Sequence, residues 1–320
     1  MEQLHPSRTA LVTDGHAGNL RQARALAQAM GLADDAELQL QPGLLARWLA
    51  PRRWPLLHAP FGPAFRAECR SPPAIAIGCG RQAALATRLL RQAGSRVIQI
   101  LDPRIDPRHW DLVIVPEHDR LRGGNVLSLL GSLHPVDDAW LAQARHADAR
   151  LAGLPSPHVL LLVGGPTRHA PLDDAGFARL LADLQAQARA SGGSLSLSAS
   201  RRTPEGWKQA IAGMDPGVPG LRWRDPRDGP NPYASLLAQA DRIVCTPDSV
   251  NMLSEAAATR VPLQAWAIER VHGRARAFLD ALQARGRLQP FAAPWPDAPA
   301  EPLRETPRIA AEVLHRLAGT

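Results

Sequence analysis

The sequence predicts an α/β chain of two doubly wound, Rossmann-like domains facing each other across a cleft. Three observations carry that prediction. Short apolar runs alternate with amphipathic or alanine-rich stretches of helical length. The alternation runs through the chain twice, once on each side of Leu154-Pro155-Ser156-Pro157. Several apolar runs stop on glycine or polar turns, as strands do where a parallel sheet hands the chain to a helix.

The elements follow in order. Thr9 to Thr13 is an apolar strand that enters Asp14-Gly15-His16-Ala17-Gly18-Asn19, and Arg21 to Met30 has the spacing of an amphipathic helix. Ala74 to Gly78 is a strand, and Gly80-Arg81-Gln82 opens an alanine-rich helix that reaches about Ala93. Arg96 to Leu101 and Leu112 to Val115 are two more strands. In the second half, His158 to Val163 ends in Gly164-Gly165-Pro166, Asp174 to Ala190 is a long helix, and Ser194 to Ser198 is a strand. Tyr233 to Gln239 is a short helix leading to the strand Ile243 to Cys245. The turn Thr246-Pro247-Asp248-Ser249 then opens a small-residue helix, Val250 to Thr259, and another apolar strand follows Val261-Pro262. The last helix, Pro307 to Leu317, comes after the proline-rich stretch Ala293 to Pro302 and is expected to return to the first domain. The domains are thus read as 1–153 and 154–320, with two prolines stiffening the join.

Composition narrows the function. Hydrophobic residues make up 45% and charged residues 21%, as in a globular protein with water around it. No run approaches the roughly 18 apolar residues of a membrane span, and no basic segment precedes an apolar core at the start, so a cytoplasmic chain is expected. Cys69, Cys79 and Cys245 lack paired spacing and read as buried, reduced thiols. The net charge of +7 rests on arginine, with Lys208 the single lysine. Arginine grips phosphate in a fork that lysine cannot match. The basic residues are dispersed without interleaved aromatics, which argues against a nucleic-acid partner. There is no metal-ligand spacing, no Gly-x-Ser-x-Gly elbow and no Walker loop, so neither metal nor cofactor is expected.

Candidate functional residues lie where predicted strands end. In 240–266, a strand-to-helix turn directs free backbone N–H groups and a helix dipole beyond the sheet, a geometry that binds phosphate. Asp248, Ser249, Val250 and Asn251 form that turn, and Glu255, deeper in the helix, is placed to reach a ribose or sugar hydroxyl. Gly164 and Gly165 leave room for a ligand near the backbone. Ser200, Arg201 and Arg202 suit a diphosphate electrostatically, while Thr203-Pro204 also reads as the N-cap and first residue of a helix. In the first half, Gly15 and Gly18 allow close approach, and Asn19 closes that turn. His16 sits where a base would take a proton from a hydroxyl; it reads equally as a solvated or capping histidine, and Asp14 is the alternative base. Arg81, at a helix start, meets either a phosphate, an acidic acceptor or water. Asp102 and Glu117-His118-Asp119 place carboxylates and an imidazole at two further strand ends. Tyr233, after Asn231-Pro232, is either a stacking residue for a base or a packed aromatic on a capped helix.

Taken together, these turns resemble the mitochondrial-fission "elongated mitochondria" family in its bacterial branch. The resemblance runs through Asp14-Gly15-x-x-Gly18-Asn19-x-x-Gln22, Gly80-Arg81, Gln99-x-x-Asp102-Pro103-Arg104 and Asp111 to Asp119. It continues in Asn125-Val126-Leu127, Gly131 to His134, Gly164-Gly165-Pro166, Ser200 to Pro204, Asn231-Pro232-Tyr233 and Asp248 to Ala256. It implies the two-domain glycosyltransferase B (GT-B) architecture. Plant members are known for recruiting a dynamin-related protein to mitochondria. Asp248 to Ala256 is also similar to the diphosphate turn of lipopolysaccharide heptosyltransferases, and Glu255 to the ribose-binding glutamate of related transferases. His16 lies where several such enzymes keep a catalytic histidine.

The expectation is a metal-independent glycosyltransferase using a nucleoside diphosphate sugar. The second domain would hold the donor, and the first would hold an acceptor that includes glycolipids of the envelope among its candidates, with peripheral association at the inner membrane. Two alternatives stand beside it. A sugar-nucleotide epimerase of the same fold would use Asp102 and the Glu117-His118-Asp119 loop, and a non-catalytic scaffold would act through binding alone.

Overall fold

The computed structural model describes residues 8–32, 36–43, 47–48, 50–52, 61–292, 294–296 and 298–319. Ala293 and Asp297 of the proline-rich stretch lie outside them. The chain divides into two compact units: 1–135 with 305–320, and 136–304.

In the first unit the strands are β1 (Thr9–Thr13), β2 (Ala36–Gln39), β3 (Ile75–Cys79), β4 (Arg96–Ile100), β5 (Leu112–Pro116) and β6 (Val126–Leu129). Its helices are α1 (Ala17–Ala29), α2 (Gly62–Arg70), α3 (Arg81–Ala93) and the C-terminal helix Thr306–Ala318. Among the described residues the strands form one six-stranded parallel sheet in the order β2-β1-β3-β4-β5-β6. Alternate side chains serve opposite faces, as a strand's two-residue period requires. Leu11, Ile77, Ile98 and Ile114 pack against Ala23 and Leu26 of α1 and against Ile309 and Val313 of the C-terminal helix. Val12, Ala76, Val97 and Val113 pack against Ala83, Ala86 and Leu90 of α3. Both faces are covered, which is why these strands are apolar throughout.

The second unit holds α4 (Asp138–Ala144), β7 (His158–Val163), α5 (Asp174–Ser191), β8 (Ser194–Ala199), α6 (Glu205–Ala212) and β9 (Arg222–Trp223). It continues with α7 (Tyr233–Gln239), β10 (Arg242–Cys245), α8 (Val250–Ala257), β11 (Leu263–Ala265), α9 (Gly273–Ala284) and β12 (Gln289–Pro290). Its sheet is also parallel, in the order β12-β11-β10-β7-β8-β9. Phe177 of α5 stacks on Trp207 of α6 at 4.0 Å between ring centroids.

The units divide after Pro135, where the sequence reading placed the join at 153/154. The reason is α4. It packs on α7, Gln239 donates to the Arg145 carbonyl at 2.6 Å, and Arg150 donates to the carbonyls of Asp228 and Pro230. These contacts tie 136–153 to the second unit. A second difference concerns α6. Thr203 is not its N-cap; the helix starts at Glu205 behind Pro204. Thr203 Oγ1 instead donates toward the carbonyls of Val163 and Gly164 at 2.9 and 2.7 Å, tying the end of β8 to the end of β7.

Candidate functional site

Each sheet reverses its strand order once, between β1 and β3 in the first unit and between β7 and β10 in the second. At such a reversal the flanking loops leave in opposite directions, and a crevice opens beyond the carboxyl ends of the strands. Asp14 to Asn19 follow the strand at the first of these places, and Asp248 to Asn251 follow the strand at the second.

In the first unit, Asp14 follows β1. Its Oδ1 accepts from Asn19 Nδ2 at 2.9 Å and from the His16 backbone N–H at 3.2 Å. His16 Nδ1 lies 2.9 Å from the same oxygen, with the imidazole mostly exposed. Burial works to raise the Asp14 pKa, but the hydrogen bonds from Asn19 and His16 outweigh it and hold the carboxyl below its ordinary value. With Nδ1–H donating to Asp14, the other ring nitrogen is left as a proton acceptor facing solvent. Gly15 has φ +78°, and a Cβ there would meet Gln39. Gly80, at the end of β3, has φ +92° and lies against Asn19 and Asp14. Gly18 is different from its expected role: it sits in the first turn of α1 with helical backbone, not in the preceding turn.

A cavity of about 570 Å³ opens beside this crevice, beyond β3, β4 and β5. Arg81, Asp102, Arg104 and Asp119 line it, with Trp48 and Arg52 on another side. Leu101 and Arg104, either side of Asp102, have φ of +74° and +62°, a conformation that non-glycine residues hold only where the surroundings impose it. Asp102 accepts from the Arg104 backbone N–H at 2.8 Å. His118 belongs to the turn after β5 and is not part of the cavity lining. Arg81 also departs from expectation. Its guanidinium donates to the carbonyls of Ala50 and Trp48 at 2.5 and 2.7 Å, so it braces a loop where a ligand contact was expected.

In the second unit the crevice is built around Asp248, whose side chain is 0% exposed. It accepts from Arg202 at 2.6 Å and from Thr246 Oγ1 at 2.7 Å. Thr246 Oγ1 in turn accepts from the Gly164 N–H at 2.7 Å, linking the end of β10 to the end of β7. Burial raises the Asp248 pKa even against the charge of Arg202. Two expectations change here. A Cβ on Gly164 would fall 2.2 Å from the Asp248 carboxylate, and one on Gly165 would fall 2.4 Å from the Arg202 carbonyl. The glycines therefore make room for these protein groups. Asp248 is likewise a buried anchor of the turn and not a surface contact.

What the turn presents outward is the start of α8. Ser249 Oγ accepts from Met252 N–H only at 3.4 Å. The N–H groups of Val250 and Asn251 have no partner within the helix. Arg201 is exposed and makes no hydrogen bond or ion pair among the described residues, while Arg202 is half exposed and paired. Ser200 Oγ accepts from the Arg202 N–H at 3.2 Å and so shapes the turn. Glu255 is buried within α8. Tyr233 starts α7 behind Pro232, its N–H donating to Asn231 Oδ1 at 3.0 Å.

The far end of α8 is also fixed. Arg287, 4% exposed, donates to the carbonyls of Ala256, Ala257 and Thr259. Arg304 donates to Ala258 at 3.0 Å. Burial pulls the Arg287 guanidinium down to about 10, still charged at neutral pH. Two cations thus answer the negative end of the helix dipole. From the sequence Thr246 was read only as part of the turn, without a role of its own, and Arg287 did not stand out. A threonine two residues before an aspartate at a strand end is a usable signal; one arginine in an arginine-rich chain is not.

Cys79 and Cys245 are buried at strand ends, and burial pushes both thiols up, so neither is a thiolate nucleophile. Among the described residues no three His, Cys, Asp or Glu side chains gather to hold a metal ion. No helix of those residues is long and apolar enough to cross a membrane.

Two parallel sheets, each with a crevice at its strand-order reversal, define a protein of the GT-B fold. Solved structures share it: the UDP-N-acetylglucosamine 2-epimerase of Rickettsia bellii aligns over 98% of this chain and 96% of that one, with a TM-score of 0.56 and 13% identity. The UDP-GlcNAc 2-epimerase of Neisseria meningitidis, solved bound to UDP-GlcNAc, aligns over 97% and 100%, with a TM-score of 0.51 and 10% identity. A family model described as mitochondrial fission ELM1 matches residues 17–317, and the chain belongs to that family. The mitochondrial fission protein ELM1 of Arabidopsis thaliana is 29% identical over 281 residues, 77% of this chain and 64% of that protein's length. The chain thus spans just under two thirds of this relative.

Proposed function

We propose that this chain is a glycosyltransferase that needs no metal and uses a nucleoside diphosphate sugar, working in the cytoplasm. The observation that carries the reading is the second unit's crevice, where the Arg202–Asp248 ion pair joins the loop that carries Arg201, a cation with no ion pair among the described residues, to the turn that opens α8. Backbone N–H groups, helix dipole and guanidinium together stabilise a departing diphosphate in the way a metal otherwise would. On the acceptor side, His16 takes the proton from a hydroxyl as the new glycosidic bond forms, and Asp14 holds the imidazole and steadies its positive charge. The sugar-nucleotide ligand of the N. meningitidis protein, of like fold, agrees with the donor class.

Calorimetric titration with nucleoside diphosphates and their sugars tests this. Binding is expected, with Arg201→Ala weakening it roughly tenfold or more, the scale of one charge-assisted hydrogen bond. Absence of any nucleotide binding, or an Arg201→Ala protein that binds as well as the parent, overturns it.

A second reading, epimerisation of the sugar nucleotide, is favoured by one observation: Asp102 and Asp119 line the same cavity. Incubating donor in deuterated water separates the two. Deuterium at a sugar carbon without acceptor supports epimerisation, and turnover only with acceptor supports transfer.

A further inference from the structure

Many arginines among the described residues have a carboxylate partner: Arg24 with Glu37, Arg91 with Asp111, Arg224 with Asp228 and Arg316 with Glu312 are examples. The stretch around Trp48 does not follow this rule. Between Glu37 and Glu68 the sequence carries no acidic residue but has arginines at 47, 52, 53 and 66. Arg47 and Arg52 are exposed and form no ion pair among the described residues. Between them stands Trp48, 84% exposed, the one large hydrophobic side chain that is exposed among the described residues.

The exposure is built, not incidental. Three side chains from the first two turns of α3 hold the backbone here. Gln82 donates to the Arg47 carbonyl at 3.1 Å, Arg81 to those of Trp48 and Ala50, and Arg88 to that of Pro51 at 2.6 Å. The backbone is clamped to the domain while Arg47, Trp48 and Arg52 face outward. The same bonds satisfy four carbonyls that would otherwise need water. A backbone with its acceptors already paired enters a poorly hydrated interface at little cost.

We infer that this surface docks the first unit on an anionic lipid bilayer. Trp48 inserts at headgroup depth, where an amphipathic indole is most stable, and Arg47 and Arg52 meet the lipid phosphates. Charge complementarity selects this occupant: an exposed indole between two clamped arginines fits a bilayer of negative headgroups, with the apolar ring accounting for more than a soluble polyanion requires. Trp48 and Arg52 also line the 570 Å³ cavity. Docking therefore sets that cavity against the membrane, open to a substrate carried in the lipid. The inference stands on the surface alone and does not depend on sugar transfer.

The test is co-sedimentation of the full chain with vesicles of phosphatidylcholine, alone or mixed with phosphatidylglycerol. Binding is expected only with phosphatidylglycerol. Trp48→Ala should weaken it several-fold, and Arg47→Glu and Arg52→Glu by at least roughly fivefold each, from about 1 kcal/mol per surface arginine lost and the repulsion of the added carboxylate. Arg285→Glu, at an exposed arginine of the second unit, should leave binding close to the parent's. All four positions are exposed, so unchanged thermal melting confirms that the variants fold. No binding to either vesicle overturns the inference, as does Trp48→Ala binding like the parent. Binding to heparin in solution that depends on the arginines but not on vesicles also overturns it, in favour of a soluble polyanion. Nucleotide titration of the same variants reports on the donor site separately, so failure of one reading is distinguishable from failure of the other.

Discussion

Arg202 commits its guanidinium to a carboxylate with no exposed surface, whereas its neighbour Arg201 keeps every donor free among the described residues. The two substitutions should therefore separate. Arg202→Ala leaves Asp248 buried beside Thr246 without its cation, a change that costs 3–5 kcal/mol for a fully buried pair. Arg202 is half exposed, so about 1–3 kcal/mol is expected here. Arg201→Ala should leave the denaturation midpoint within about 0.5 kcal/mol of the parent's and show its effect only in nucleotide affinity. Urea denaturation of both variants checks this, and equal losses would mean that Asp248 does not depend on Arg202. Gly164→Ala belongs with Arg202→Ala, since its Cβ would displace the Asp248 carboxylate. The sequence marked all of these residues, but not which were anchors and which faced outward. Burial decides that, and burial of a short polar turn depends on which strand ends stand beside it.

At the scale of elements, β7, β8 and α7 meet at a histidine. His158, buried at the start of β7, has Nε2 2.8 Å from Ser196 Oγ of β8 and Nδ1 3.4 Å from the Gln239 carbonyl of α7. Burial lowers its pKa, against smaller raising effects from the Gln239 carbonyl and Asp241. The sign follows. The folded imidazole stays neutral where the unfolded chain takes up a proton, so the second unit should lose stability as pH falls below about 6.5. The loss should stop growing once pH passes below the depressed folded value. His158→Gln should remove this dependence, and urea midpoints measured either side of neutrality would show it. The strands themselves were legible: His158 to Val163 and Thr9 to Thr13 read from the sequence as they stand in the fold, because doubly covered parallel strands are apolar without interruption. Shorter elements were not. β2 is a four-residue edge strand with alternating half-buried and exposed positions, and α9 carries arginines on its exposed face. Neither presents enough apolar periodicity to stand out.

At the scale of the whole chain, the first unit is closed by residues from the opposite end of the sequence. Ile309, Ala310 and Val313 of the C-terminal helix are 0–1% exposed and belong to the same core as Leu11, Ile77 and Leu26. Thr306 locks the helix start, its Oγ1 donating to the His134 carbonyl at 2.9 Å and accepting from the His134 N–H at 3.0 Å. Arg96 and Arg316 add bonds to Leu317 and Gly124 carbonyls further along. The apolar spacing of 307–317 made the helix legible, but its partner is set by where the second unit returns the chain. Ile309→Ala should therefore cost about 2–5 kcal/mol, the range for truncating a buried isoleucine, and the loss should fall on the first unit. The check is hydrogen exchange in mild urea. Protection of amides in β1, β3 and β4 should drop, while that of β7, β8 and β10 stays with the parent's. Nucleotide affinity should also persist in conditions where the first unit has begun to open, because Arg201, Asp248 and the start of α8 lie within residues 136–304. Equal loss of protection in both sheets would show instead that the two units unfold as one.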